Sequence, residues 1–147
     1  MKAQDIMAKD PRCVTPRTSI QEAASLMKSE DVGALPVVES ESSKRLVGMV
    51  TDRDIAIRVV ADGRDLRSTT VSDAMSKGAA TAKAEDDLDD VMKVMGREQV
   101  RRIPIVDGRD ELVGIVSQAD VVRKASSDRK AENTVERISE PGGRHQG

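Results

Sequence analysis

Leu46-Val47-Gly48-Met49-Val50-Thr51-Asp52-Arg53-Asp54 returns later in the chain as Leu112-Val113-Gly114-Ile115-Val116-Ser117-Gln118-Ala119-Asp120. Each copy is a short apolar strand that runs into a hydroxyl residue, with a carboxylate three places on. That is the signature of a strand feeding a helix through an N-cap. Upstream, the polar turns Glu39 to Arg45 and Asp107 to Glu111 follow proline-bearing apolar runs, Val32-Gly33-Ala34-Leu35-Pro36-Val37-Val38 and Val100-Arg101-Arg102-Ile103-Pro104-Ile105-Val106. Each run pairs with the strand after it as a hairpin. Further upstream, Ile20, Ala23, Ala24 and Met27 fall on one helical stripe, as do Leu88, Val91, Met92 and Met95. Thr18 or Ser19 with Gln21 or Glu22, and the acidic run Glu85-Asp86-Asp87, mark the helix starts. The outermost echoes are Asp5-Ile6-Met7 with Asp73-Ala74-Met75, and Val14-Thr15 with Ala80-Thr81.

The sequence therefore predicts one unit written twice, strand-helix-strand-strand-helix, in a mixed α/β (α+β) fold. Residues 1–60 form the first repeat, 61–70 (ADGRDLRSTT) a polar linker, and 71–125 the second repeat. The segment 126–147 loses its apolar stripe, carries Pro141-Gly142-Gly143 near its end and reads as a flexible tail that includes His145, the single histidine. Units of this size bury too little surface to stand comfortably alone, so the two are expected to pack face to face.

Composition narrows the function. The 147 residues carry 34% charged side chains but a formal net charge of only -2, which points away from a nucleic-acid partner. The chain has no Phe, Tyr or Trp, so a base must be gripped by aliphatic side chains instead of being stacked on aromatic rings. No apolar run approaches the ~20 residues of a membrane span. The opening MKAQDIMAKD lacks the apolar core of a secretory signal, so a cytoplasmic location is expected. Cys13 is the single cysteine and reads as a small buried hydrophobe. There is no Cys/His or Ser/His arrangement, no metal-spaced cluster and no Gly-rich phosphate fingerprint, so neither an enzyme nor a metal site is expected.

These residues carry a family resemblance. The Asp-Ile-Met-like opening, the Ala-Leu-Pro-Val-Val-like strand and the Gly-hydrophobic-Val-Thr/Ser-x-x-Asp close are similar, in both halves, to the cystathionine-beta-synthase-type (CBS) repeat. The likeness covers about residues 1 to 125. Among family members the chain resembles the small stand-alone bacterial proteins. The resemblance implies a Bateman module: two repeats packed through their sheets about a pseudo-two-fold axis, with two clefts between them. Members often bind AMP, ADP, ATP, NAD or S-adenosylmethionine there, and stand-alone ones commonly form homodimers. A regulatory, non-enzymatic module with an unknown effector protein is the expectation. The alternative is a ligand-free scaffold or protein-interaction module acting as a homodimer.

A nucleotide needs an apolar slot, an acceptor for the ribose diol, and donors or cations for phosphate. Asp54 and Asp120 supply a carboxylate one turn into a helix, where charge-assisted hydrogen bonds are worth about 1.5–3 kcal/mol each. Thr51 and Ser117 sit at helix starts that favour anions. Taken singly, such residues are more often plain caps, but their recurrence at both places weighs toward a ligand role. By the resemblance, the preferred cleft combines Ser117 and Asp120 with Arg101 and Arg102 as phosphate cations, closed by Val32, Gly33, Ile6 and Cys13. The second cleft combines Thr51 and Asp54 with Val100, Ala79 and Thr81. It holds no strand cation, because Gly33 and Ala34 stand where the other repeat has its arginines. Arg53 supplies charge there only if it turns inward, the alternative being a solvated or dimer-facing side chain. Consecutive strand residues face opposite ways, so only one of Arg101 and Arg102 is expected to point straight into a cleft.

Overall fold

The structure, a computed structural model, describes residues 1–132. The element order is β1 (Ala8–Lys9), α1 (Ile20–Glu30), β2 (Ala34–Val38), β3 (Leu46–Thr51) and α2 (Asp52–Ile55), followed by β4 (Ala82–Lys83), α3 (Leu88–Glu98), β5 (Arg102–Val106), β6 (Leu112–Ser117) and α4 (Gln118–Glu132). The mixed α/β class and the internal duplication are both as the sequence reads. Among the described residues, no helix is long and apolar enough to cross a membrane.

Local chemistry sets the helix starts. Ser19 Oγ accepts the Glu22 N–H at 3.1 Å, and the Glu22 carboxylate accepts the Ser19 N–H at 3.3 Å, closing a capping box ahead of α1. The helix then buries Ile20, Ala23 and Met27, and α3 buries Leu88, Val91 and Met95. Ala24 and Met92, on the edge of the predicted stripes, are exposed.

The hairpins form as expected, with Pro36 opposite Met49 and Pro104 opposite Ile115 in matching registers. Their tips interlock across the pseudo-two-fold: the Leu46 N–H donates to Asp110 O at 2.9 Å, and the Leu112 N–H to Lys44 O at 2.8 Å. β4 adds parallel to β5 through Ala82 and Ile105, and its counterpart in the first repeat is a single parallel bridge between Val14 and Val37. Val14 is thus equivalent to Ala82, and the sequence pairing of Val14-Thr15 with Ala80-Thr81 is corrected by two places. The echo is shifted because neither segment carries a pattern long enough to fix its register.

The opening arm of each repeat crosses to the other. β1 pairs antiparallel with β6, Ala8 facing Ile115, and Ser76 bridges Met49 in the mirrored position. Ala3 lies in the core of the second repeat with Leu88, Val91, Ile103 and Val116. Val71 and Ala74 lie in the core of the first with Ile20, Leu35, Val50 and Val59. Backbone bonds fasten the exchange, with the Ala3 N–H on Asp86 O at 2.9 Å and the Val71 N–H on Thr18 O at 2.8 Å.

α2 continues as a π-helical segment, Ala56–Val60. The linker that follows is not loose at its end, since Thr69 is 5% exposed and its carbonyl accepts the Ile20 N–H at 2.9 Å. α4 runs on to Glu132, past residue 126 where the sequence reading begins the tail. The rest of that segment, His145 included, lies outside the described residues.

Candidate functional site

The crossed arms leave a cleft of about 710 Å³ between the repeats. One wall is the end of β3 and the start of α2, with Met49, Thr51, Asp52, Arg53 and Asp54. The arm Ser76 to Ala80 also lines it, starting beside β3 where Ser76 bridges Met49. The segment Glu98 to Arg102 closes the side, with Gly33, Ala34 and Pro104 at the base.

Thr51 caps α2: its Oγ1 accepts the Asp54 N–H at 3.0 Å, and Asp54 Oδ2 accepts the Thr51 N–H at 2.9 Å. The Asp54 side chain is 15% exposed. Its Oδ1 lies 3.9 Å from Arg58 Nη1 and carries no shorter described bond. The capping reading of these residues is therefore correct as structure. It leaves acceptor capacity on Asp54, because each carboxylate oxygen has two lone pairs.

In the second repeat Ser117 Oγ accepts the Asp120 N–H at 3.1 Å, and Asp120 Oδ2 takes the Ser117 N–H at 3.4 Å. Asp120 Oδ1 is ion-paired with Arg123, and Ser117 is 6% exposed.

The structure regroups the sequence-derived residues. Thr51, Asp54, Arg53, Val100 and Ala79 come together as grouped, while Thr81 is exposed and does not line the cleft. Arg101, Arg102 and Gly33, assigned to the other cleft, line this same one. Among the described residues, Ser117, Asp120, Val32, Ile6 and Cys13 do not line it. Cys13 is instead within 3.8 Å of Lys44 Nζ.

The expectation that the Thr51 and Asp54 cleft lacks a strand cation is thus corrected. The strand entries of the two repeats, Gly33-Ala34 and Arg101-Arg102, meet across the pseudo-two-fold, so the arginines of one repeat face the helix start of the other. Both arginines line the cleft, since Arg101 precedes β5, which begins at Arg102, and strand alternation does not govern it.

Lys77 was missed by sequence reasoning. The signal was present, because Met7-Ala8-Lys9 and Met75-Ser76-Lys77 occupy matching places in the two arms. Four cationic residues, Arg53, Lys77, Arg101 and Arg102, thus line the same cleft as Thr51, together with the acidic Asp52, Asp54 and Glu98. Among the described residues, no group of three His, Cys, Asp or Glu side chains is placed to hold a metal ion.

Comparison with known proteins agrees with this architecture. The CBS domain family matches the chain twice, over residues 3–61 and 71–127. The CBS domain-containing protein YhcV of Bacillus subtilis is 43% identical over 136 residues, which is 92% of this chain and 94% of that protein. A crystal structure of Hypoxic Response Protein I with two coordinated zinc ions superposes with a TM-score of 0.76 at 36% identity, covering 84% of this chain and 98% of that one. CBSX2 of Arabidopsis thaliana in complex with AMP gives a TM-score of 0.76 at 27% identity, over 87% and 98% of the two chains. The CBS domain pair of protein MJ0100, in complex with 5'-methylthioadenosine and S-adenosyl-L-methionine, gives 0.74 at 30% identity, over 85% and 99%. Two family matches in tandem over a duplicated fold lead to one conclusion: the chain belongs to the CBS domain family.

Proposed function

We propose that this CBS pair is a non-enzymatic regulatory module that binds an adenine nucleotide of the AMP, ADP or ATP type in the Thr51 and Asp54 cleft. The observation that carries the proposal is the convergence, in one cleft of about 710 Å³, of a capped helix start, a carboxylate and four cationic side chains. That volume lies in the range of about 300–1,000 Å³ usual for small-molecule sites. Asp54 accepts the ribose hydroxyls. The phosphate lies toward Thr51 and the N-terminus of α2, where the helix dipole favours anions, with Arg101, Arg102, Lys77 and Arg53 about it. The base is held between aliphatic groups, Met49, Ala79, Val100 and Pro104. Further support comes from the neighbours that hold AMP or S-adenosylmethionine. The latter ligand and NAD are the other candidates for the cleft.

Regulation requires that the ligand bind one state of the module better than another. The crossed arms make such a difference physically reasonable, since a ligand in the cleft touches both repeats at once.

The test is calorimetric unfolding with and without AMP, ADP, ATP, NAD and S-adenosylmethionine. A ligand at about 100 times its Kd adds about 2.7 kcal/mol, which for a domain near this size is a rise of roughly 5–10 °C. No rise with any of them at millimolar concentration would remove the nucleotide reading.

A second reading, a homodimeric interaction module that binds a protein effector, is favoured by exposed apolar side chains on the helical faces. Ile57 is 51% exposed, Val60 58%, Met92 44% and Val122 48%. Sedimentation of the ligand-free protein decides whether these faces are covered by a second copy.

A further inference from the structure

We propose that Arg58 is a positioning residue of the cleft, fixing the Asp54 carboxylate relative to the arm Ser76 to Ala80. For its effect on ligand affinity the proposal rests on the nucleotide reading above. Arg58 lies in the π-helical segment Ala56–Val60 of the first repeat. Its Nη1 donates to the carbonyl of Ala74 at 2.8 Å and reaches that of Met75 at 3.4 Å. The same nitrogen is 3.9 Å from Asp54 Oδ1.

These three acceptors belong to different parts of the site. Asp54 is on the wall built by the first repeat. Ala74 and Met75 close the 3-10 turn Val71–Asp73 of the second repeat, and the next residue, Ser76, begins the arm that lines the cleft. Carbonyls at the end of a helical turn have no partner inside the turn, and a planar guanidinium can serve two acceptors at once where an ammonium acts as a single point charge.

As an ion pair alone the contact would be worth little, because the Arg58 side chain is 49% exposed and the charges are 3.9 Å apart. Its consequence is geometric. Ala74 is fully buried, so the bond to its carbonyl anchors Arg58 to a fixed point, and the anchored guanidinium limits where Asp54 Oδ1 can sit. Asp120 is ion-paired with Arg123, three residues on along α4, as Asp54 is with Arg58 four residues on.

The experiment uses the full chain with Arg58→Ala and Arg58→Lys. Amide hydrogen exchange of residues 74–80 is followed without ligand, and AMP and 2′,3′-dideoxy-AMP are titrated by calorimetry. Loss of the anchor is expected to speed exchange in the arm and to weaken AMP about tenfold, with the lysine variant between, in line with the worth of a hydrogen bond to a charged group. The dideoxy analogue, which has no diol for Asp54, is expected to bind both proteins alike. Unchanged exchange in Arg58→Ala would overturn the proposal, and so would equal weakening of the two nucleotides or no weakening of either. If the unsubstituted protein binds no nucleotide, it is the nucleotide reading that fails, and the exchange measurement decides the role of Arg58 by itself. Should Arg58→Ala not fold, the same comparisons are made with Arg58→Lys.

Discussion

Gly48 and Gly114 hold equivalent places in β3 and β6, yet alanine at the first should cost far more than at the second. At both, the arm of the opposite repeat runs directly over the glycine. A Cβ on Gly48 would collide with the carbonyl oxygen of Ser76 and come within 2.8 Å of Met75 Cε. The carbonyl is backbone and is tied down on both sides of the glycine's neighbour, the Met49 N–H donating to Ser76 O at 3.0 Å and the Ser76 N–H to Met49 O at 2.9 Å. A Cβ on Gly114 meets first Met7 Sδ at 2.5 Å and Cγ at 2.8 Å, a flexible chain that can rotate aside, and then Ala8 O at 3.0 Å. Overpacking a tight site costs about 1–3 kcal/mol, and each arm bond that is stretched or lost adds about 0.5–1.5 kcal/mol. Gly48→Ala should then destabilise by about 2–4 kcal/mol. Gly114→Ala has mainly the reorientation of Met7 to offset, less the roughly 0.5–1 kcal/mol that alanine gains over glycine within a strand. Calorimetry should place the Gly48→Ala melting point roughly 8–15 °C below that of the parent and at least about 4 °C below that of Gly114→Ala. Equal melting points, or a lower one for Gly114→Ala, would refute the claim that the Ser76 carbonyl fixes the arm over β3. The same substitution should also weaken nucleotide binding, because the displaced arm is a wall of the cleft.

Three further outcomes are expected. Asp54→Ala should abolish the rise in melting temperature given by AMP, whereas Asp120→Ala should retain it, and calorimetric scans with and without AMP separate the two. Ser19→Ala, which removes one half of the capping box of α1, should lower stability by about 1 kcal/mol, read as a drop in the chemical-denaturation midpoint with an unchanged slope. In the β5–β6 turn, the Glu111 and Arg109 N–H groups donate to the Asp107 carboxylate at 3.0 and 2.8 Å and hold its pKa below the usual carboxylate value. The stability it contributes is therefore present above the unfolded carboxylate pKa and lost as pH falls through the lower folded value, so Asp107→Asn should flatten that acid limb, and a carbon-detected NMR titration should place the Asp107 midpoint below those of unstructured aspartates.

The repeated unit was legible because each of its signals is local. Ser19 and Glu22 cap α1 by contacts within one turn, Thr51 and Asp54 do the same for α2, and the hairpins follow from apolar runs joined by short polar turns. Burial patterns along α1 and α3 likewise need only the helical period, and the exceptions, Ala24 and Met92, lie where a stripe meets the surface. What could not be read is which repeat buries a given arm. Ala3, Val71 and Ala74 are single small apolar residues in short 3-10 turns, and no periodicity distinguishes their own repeat from the neighbouring one.

That ambiguity accounts for the misplaced arginines. The family resemblance groups Arg101 and Arg102 with Ser117 and Asp120, and in β5–β6 Arg102 does lie opposite Ser117 along the backbone. Register fixes which residues are neighbours along a sheet, whereas the composition of a cleft depends on how two sheets face one another. At the pseudo-two-fold the strand entries of both repeats converge, and the residue types there differ: Gly33 and Ala34 on one side, two arginines on the other. The repeat that supplies the helix start and Asp54 has a bare strand entry, and the strand arginines come from its partner repeat. A nucleotide bound by Asp54 and Arg101 together would span the boundary between repeats, and that span is what would let its phosphate report on how the two are docked.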